Sequence, residues 1–276
     1  MTMKTLNNFS PPYSDFPCTE ILGICINKLS MDDVIEIAKH NIKLHRQLVL
    51  GVVNVAKLVN ARKNSDLRIS LEEADIVLAD GSPIVWLSRI LRKALPERVA
   101  GIDLMYALLD KSNSRGYRVY FLGAKCEVLQ KVITIVRRDY PNLKIAGYRD
   151  GYFSPEEEQT VADEIRKSNA DIIFVAICSP KKEIFLRKWK DFIKVPICHG
   201  VGGSFDVLAG VTKRAPLWMR KCGLEWLYRL NQEPRRMWRR YLVTNSIFLF
   251  LSFKLIFGTK LKQMISKFRH RADRIC

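Results

Sequence analysis

None of the chain's seven cysteines pairs in a C-x-x-C spacing, no cysteine and histidine cluster resembles a zinc site, and no D-x-D metal-binding pattern occurs in the 276 residues. The cysteines stand at 18, 25, 126, 178, 198, 222 and 276. Their odd count and apolar neighbours argue against a disulfide framework and predict reduced thiols. The N-terminus has no basic segment followed by an apolar core, so no secretory signal is read and a cytoplasmic address is expected. No uninterrupted apolar run approaches the roughly 20 residues of a spanning helix. Carboxylates are scarce late in the chain. Residues 213–276 hold sixteen Lys and Arg against Glu225, Glu233 and Asp273, so thirteen of the net eighteen positive charges lie there. Such a tail suits nucleic acid, anionic lipid or a phosphorylated substrate, and composition does not choose among them.

What is present is a normal core. The 48% hydrophobic content is ample for one large or two small domains. Residues 1–19, with Pro11, Pro12 and Pro17, read as a loose leader and order is expected from Ile21. Residues 20–212 read as an α/β core and 213–276 as a basic, aromatic appendage. Strand-type runs are expected at 21–26, 48–53, 76–79, 117–122, 144–148, 172–177 and 195–199. Helical patterns lie between them at 31–43, 83–93, 104–112, 125–140, 155–168 and 181–190. Ser30 and Asp33 form an acidic variant of the capping box for the first of these. Regular βα alternation with β-branched strands predicts a Rossmann-like, mostly parallel sheet with helices on both faces.

The stretch 78–103, LADGSPIVWLSRILRKALPERVAGID, carries the sharpest chemical signal. It sets Asp80 at the carboxyl end of a strand, where open α/β sheets place their ligands. The alternative is that Asp80 or Ser82 caps the following helix, with Pro83 at its first position. Asn54 also ends a strand, and capping explains it as readily as ligand contact. Arg98 and Asp103 read either as site residues or as members of surface ion pairs. Gly123 and Gly202 each follow a strand, where backbone N–H groups can meet a phosphate, although a tight turn explains such glycines equally. In the appendage, Pro234 is placed to start a second short helix, on which Arg236 and Arg239 share a face. Residues 247–257 are apolar at nine of eleven positions and flanked by basic residues, which predicts a segment lying in lipid head groups, with a buried core helix as the alternative.

Taken in order, VVNVAKLVNAR, ADIVLADG, ERVAGIDLM, VYFLGA, GYRDGYFS, SPKKE, HGVGGSFDVLAG, KRAP and GLEWLYRLNQEPRRMWRRY resemble the WecG/TagA/CpsF glycosyltransferase family. The resemblance implies a membrane-associated enzyme that moves a sugar from a UDP-sugar to a polyprenyl-diphosphate-linked sugar with inversion, on a Rossmann-like core closed by a C-terminal appendage. Carried over by motif, the family's catalytic base falls on Asp80, a substrate-contacting Asn on Asn54 and the ERVxG arginine on Arg98. The appendage arginines that hold diphosphate fall on Arg229, Arg236 and Arg239, and a residue near the nucleotide on Asp206. Two departures stand out. Val52 replaces a frequent Thr, and Lys182 replaces the Gln of P-K-Q-E, which brings a cation toward acceptor or phosphate. The VVNVAKLVN and SPKKE forms resemble the exopolysaccharide branch, so glucosyl transfer is the expectation and N-acetylmannosaminyl or uronate transfer the alternative.

The expected partners are a UDP-sugar, the lipid-linked acceptor and an anionic membrane surface. No cofactor, metal or nucleic acid is expected, and homo-oligomerisation is left open. The expected place is the cytoplasmic face of the plasma membrane, peripherally bound. Two rivals from other classes remain at this level: a non-enzymatic membrane scaffold, and a nucleic-acid binder that stacks bases on the Trp- and Tyr-rich tail.

Overall fold

The computed structural model describes residues 16–272, with the side chains of residues 236, 240 and 259–272 outside the description. Six parallel strands form one sheet in the order β4-β3-β8-β7-β5-β6. They are β3 (Leu48–Val53), β4 (Ile76–Ala79), β5 (Arg118–Gly123), β6 (Lys144–Arg149), β7 (Ile172–Ala176) and β8 (Ile197–Gly200). Period-two alternation sends successive side chains to opposite faces. Val119, Phe121, Ile172 and Phe174 enter one core, while Tyr120, Leu122, Ile173 and Val175 enter another. The first core is covered by α1 (Met31–Lys43), α5 (Gly101–Arg115) and α6 (Cys126–Asp139). The second is covered by α7 (Glu158–Lys167) and α8 (Lys181–Ile193). The helices α2 (Val55–Ala61), α3 (Ser65–Glu72) and α4 (Ser82–Ile90) cover the β4 end in a third cluster. The α/β architecture expected from the alternation is therefore present, and Ser30 with Asp33 forms the capping box at α1.

The N-terminal segment departs from expectation. The run read as one strand over 21–26 is a hairpin of β1 (Cys18–Ile21) and β2 (Ile24–Asn27), turned by Leu22 and Gly23 at φ 53° and 88°. A two-residue turn with both central φ positive matches the twist of paired strands. Phe16 is buried and β1 begins at Cys18, ahead of the start expected at Ile21, and the expected leader up to residue 15 lies outside the described residues. Cys18 and Cys25 sit on the exposed face of this hairpin and are joined by a disulfide, which corrects the reading of reduced thiols for that pair. Cys126, Cys178, Cys198 and Cys222 are free.

The appendage departs further. After α9 (Ser204–Leu208), α10 (Leu217–Lys221) and α11 (Glu225–Gln232), the expected short helix at Pro234 continues as a 39-residue helix, α12 (Pro234–Ala272). No proline follows Pro234 to break the intrahelical ladder, so the arginine-rich stretch and the apolar stretch form one rod. Its inner side packs on α2 through Met237, Thr244, Phe248 and Ser252, which are buried. Its outer side exposes Trp238, Leu242, Val243, Leu249, Phe250, Phe253 and Phe257. The helix is thus apolar on both sides, with only one side covered among the described residues. Met237–Gly258, 22 residues, is long and apolar enough to cross a membrane by length and composition, so the apolar element is longer than the 247–257 segment read from sequence.

Candidate active site

The carboxyl ends of β3, β4, β7 and β8 open on one side of the sheet, and the residues that follow them line two adjoining cavities. The larger, about 740 Å³, is polar and includes Lys57, Asn60, Lys182 and the loop Gly200–Ser204. The smaller, about 350 Å³, is walled by Trp86, Trp226, Tyr241 and Phe248, with α12 as its far side. Asn54, Asp80, Glu225, Arg229 and Met237 line both. Asp80 thus stands at the seam between a cationic chamber and an aromatic one.

Asp80 is fixed by its own backbone, whose N–H donates to Val53 O at 2.7 Å. The N-cap of α4 is Gly81, with no side-chain cap hydrogen bond, so the carboxylate of Asp80 is not consumed in capping. Protein surrounds the carboxylate although about a third of it (32%) is open to the cavities. Burial raises its pKa to about 6; Glu225 adds to the rise, while Arg98, Arg229 and Lys57 oppose it.

Arg98 reaches the seam because Val99 N donates to Ala79 O at 2.9 Å, laying the ERVAG segment beside the end of β4. Its guanidinium pairs with Glu225 at 2.7 Å and lies 3.7 Å from Asp80. Its buried Nε is the atom that stands 3.7 Å from Asp80 Oδ1, an ion-pair contact beyond hydrogen-bond length. Glu225 also pairs with Arg229 at 3.2 Å. Burial works against the charge of Glu225, but Arg229 and Arg98 outweigh it and hold the pKa below the usual range. Gly223, at φ 71°, lets α11 come this close, since a Cβ there would stand 2.8 Å from the Trp86 ring.

In the polar chamber Asn54 caps α2, accepting from Lys57 N at 3.0 Å, so the capping reading is realised while the residue still lines both cavities. Lys57 pairs with Glu183 at 2.7 Å, and Lys182 meets the same carboxylate at 3.2 Å. Two buried cations share one anion, which leaves a surplus positive charge under the chamber. Burial and the Lys57 charge lower the Lys182 pKa to about 8, against the pull of Glu183. Gly200 and Gly202 leave room for that lysine, whose Cε would lie 3.0 Å from a Cβ at 200. His199 is held neutral: burial lowers its pKa to about 4, and its Nε2 lies 2.9 Å from Gly101 O.

Of the residues expected from sequence, Asp80, Arg98, Asn54, Lys182, Gly202 and Arg229 converge here. Gly123 does not line either cavity; it permits close packing, because a Cβ there would stand 2.5 Å from Ala176 C. Asp206 lies on α9 beside the glycine loop, outside both linings, and its carbonyl accepts from Val211 and Thr212. Arg239 is on the exposed side of α12, and the side chain of Arg236 lies outside the described residues. Asp103 pairs with Arg214 at 2.6 Å, which fastens α5 to the start of the appendage. Sequence reasoning missed Lys57, Glu183 and Glu225. Lys57 did leave a signal, since a cation in the first turn of a helix opposes the macrodipole and calls for another reason to be there.

A family model described as "Glycosyl transferase WecG/TagA/CpsF family" matches residues 19–262. The chain is also 42% identical over 182 residues to an N-acetylglucosaminyldiphosphoundecaprenol N-acetyl-beta-D-mannosaminyltransferase of Bacillus spizizenii, covering 66% of this chain and 70% of that protein. It is 38% identical over 216 residues to a protein of the same name from Bacillus subtilis, covering 78% of this chain and 82% of the relative. Neither name supports the glucosyl preference or the exopolysaccharide branch; both agree with the alternative of N-acetylmannosaminyl transfer.

Proposed function

The chain belongs to the WecG/TagA/CpsF glycosyltransferase family, and from that premise we propose that it transfers N-acetylmannosamine from a UDP-sugar to a polyprenyl-diphosphate-linked N-acetylglucosamine with inversion. The observation that carries this reading is the place of Asp80, where a cationic chamber meets an aromatic one. The donor's diphosphate suits the surplus charge of Lys57 and Lys182 beside the Gly200–Ser204 loop. The acceptor's sugar and diphosphate suit the aromatic chamber, with Arg229 at its edge and α12 leading toward lipid.

In the transfer, the acceptor hydroxyl attacks the anomeric carbon, its proton passes to Asp80, and the bond to the diphosphate oxygen breaks with UDP leaving as the anion. A carboxylate with a pKa of about 6 is a stronger base than a free aspartate and still ionised at neutral pH. Arg98, beside Asp80, and Arg229 face the charge that develops, which forked guanidiniums do well in a water-poor site.

The carboxylates that line the chambers are each engaged by cations, Asp80 by Arg98 and Glu225 by Arg98 and Arg229, and Glu183, outside both linings, is held by the two lysines. A cation-for-metal division of labour follows. Transfer is expected to persist after treatment with EDTA, and a rate restored only by Mg²⁺ or Mn²⁺ would overturn that division. The ammonium of Lys182 is present below about pH 8 and lost above it. Donor KM should therefore rise with pH through about 8. Lys182→Gln should raise donor KM by about tenfold, the scale of one charged hydrogen bond, and abolish that pH dependence. Unchanged KM in the variant would remove Lys182 from the donor site.

The exposed apolar side of α12 and the basic appendage support peripheral attachment to the membrane that carries the acceptor. The same enclosed site argues against a bare scaffold, which needs neither a perturbed carboxylate nor paired buried lysines.

A further inference from the structure

Glycosyl transfer leaves unused a groove of about 620 Å³ farther along α12, between that helix, the β1–β2 hairpin and the far end of α2. The catalytic chambers use α12 from Met237 to Leu249, whereas the groove uses Leu251, Lys254, Leu255 and Gly258. From the core come Glu20, Leu22, Arg62 and Arg68. Arg68 is spent on Glu72 at 2.8 Å. Arg62 and Lys254 form no ion pair among the described residues, although each faces the same cleft from a different part of the molecule. On the outer side of the same turns Phe250, Phe253 and Phe257 are exposed, the last two with ring centroids 5.0 Å apart.

Two cations without an ion pair among the described residues, over an apolar floor and beside an uncovered aromatic ridge, match one ligand chemistry, with Glu20 the one carboxylate in the lining. We propose that this groove seats the phosphodiester of an anionic phospholipid between Arg62 and Lys254, with its acyl chains along Leu251, Leu255 and the phenylalanine ridge. A soluble anion would use the charge and leave the apolar floor and ridge uncovered. Because Arg62 belongs to the core and Lys254 to the appendage, one lipid bound here bridges the two and holds α12 against α2. The inference rests on the proposed function only in placing the enzyme at a membrane, and its test needs no turnover.

The full chain is sedimented with phosphatidylcholine vesicles made with and without phosphatidylglycerol. The native chain should prefer the anionic vesicles, and Arg62→Glu and Lys254→Glu should each weaken that preference by about tenfold or more while leaving binding to phosphatidylcholine unchanged. Gly258→Gln introduces a side chain where a Cβ meets nothing within 4 Å, and should obstruct the groove with no change of charge. Lys221→Glu, in the appendage but outside the groove, separates a site from diffuse attraction and should have a much smaller effect. A preference for phosphatidylglycerol that survives both Arg62→Glu and Lys254→Glu, or that Lys221→Glu reduces as much, would overturn the proposal. Transfer to a short-chain acceptor in detergent should stay within about twofold of native in the groove variants, the range expected of charges remote from the site. A collapse of that activity would place the groove in the acceptor path and overturn a separate lipid site.

Discussion

Asp80→Asn is expected to lower turnover by about 10²- to 10⁴-fold, the span a positioned base contributes, while donor binding is kept. The native enzyme should show an acidic limb with a midpoint near pH 6, following ionisation of this carboxylate, and the residual activity of the variant should lack it. Stability should move the other way. With a folded pKa raised above the ordinary 3.8, the native state holds its proton over a window, from there up to about 6, in which the unfolded chain has lost it. Stability from this group therefore falls as pH rises through that window, and Asn, which carries no charge, should keep or slightly raise the melting temperature at neutral pH. A purely structural Asp80 would give the opposite pattern, with lower melting temperature and turnover lost in proportion. Calorimetric titration with the UDP-sugar, a pH–rate profile and a thermal melt together separate the two.

A chain ended after Val211 is expected to retain its sheet and donor affinity and to lose transfer by about 10³-fold or more. It would lack Glu225, Trp226, Arg229, Tyr241 and Phe248, and with them the aromatic chamber. The polar chamber would keep Lys57, Lys182 and the glycine loop. Some stability goes too, because Phe248 is buried against the α2–α4 cluster, and a lost buried phenylalanine typically costs about 3–5 kcal/mol. Native-like transfer by this shortened chain would show that the appendage does not complete the site.

The core was legible because its signals are local. β-branched runs alternate with amphipathic ones, and β3, β4 and α1 fall where the pattern places them. The hairpin was hidden because Leu22-Gly23 is a weak turn signature inside an apolar run, and its disulfide joins residues that only the hairpin brings together on one face. The length of α12 was hidden because arginine-rich and apolar stretches look like separate segments in composition, although nothing between them stops a helix. In the site, Asp80 and Arg98 were legible as residues next to strand ends and motifs. Glu225 was not, since its meaning comes from a contact across 127 positions with Arg98. The exposure of Arg239 has the same origin: helical phase against the core, and not residue type, decides which appendage arginines face the chambers.

The central claim is that one enclosed carboxylate at the meeting of two chambers takes the acceptor's proton while UDP departs from the other side of the sugar. Its most direct test is to supply the full chain with UDP-N-acetylmannosamine and a synthetic polyprenyl-diphosphate N-acetylglucosamine, and to determine the product's anomeric configuration by NMR. A disaccharide linked with the configuration opposite to the donor's, formed together with UDP and abolished in Asp80→Asn, is the predicted result. A product of retained configuration, or one formed undiminished without the Asp80 carboxylate, would contradict it.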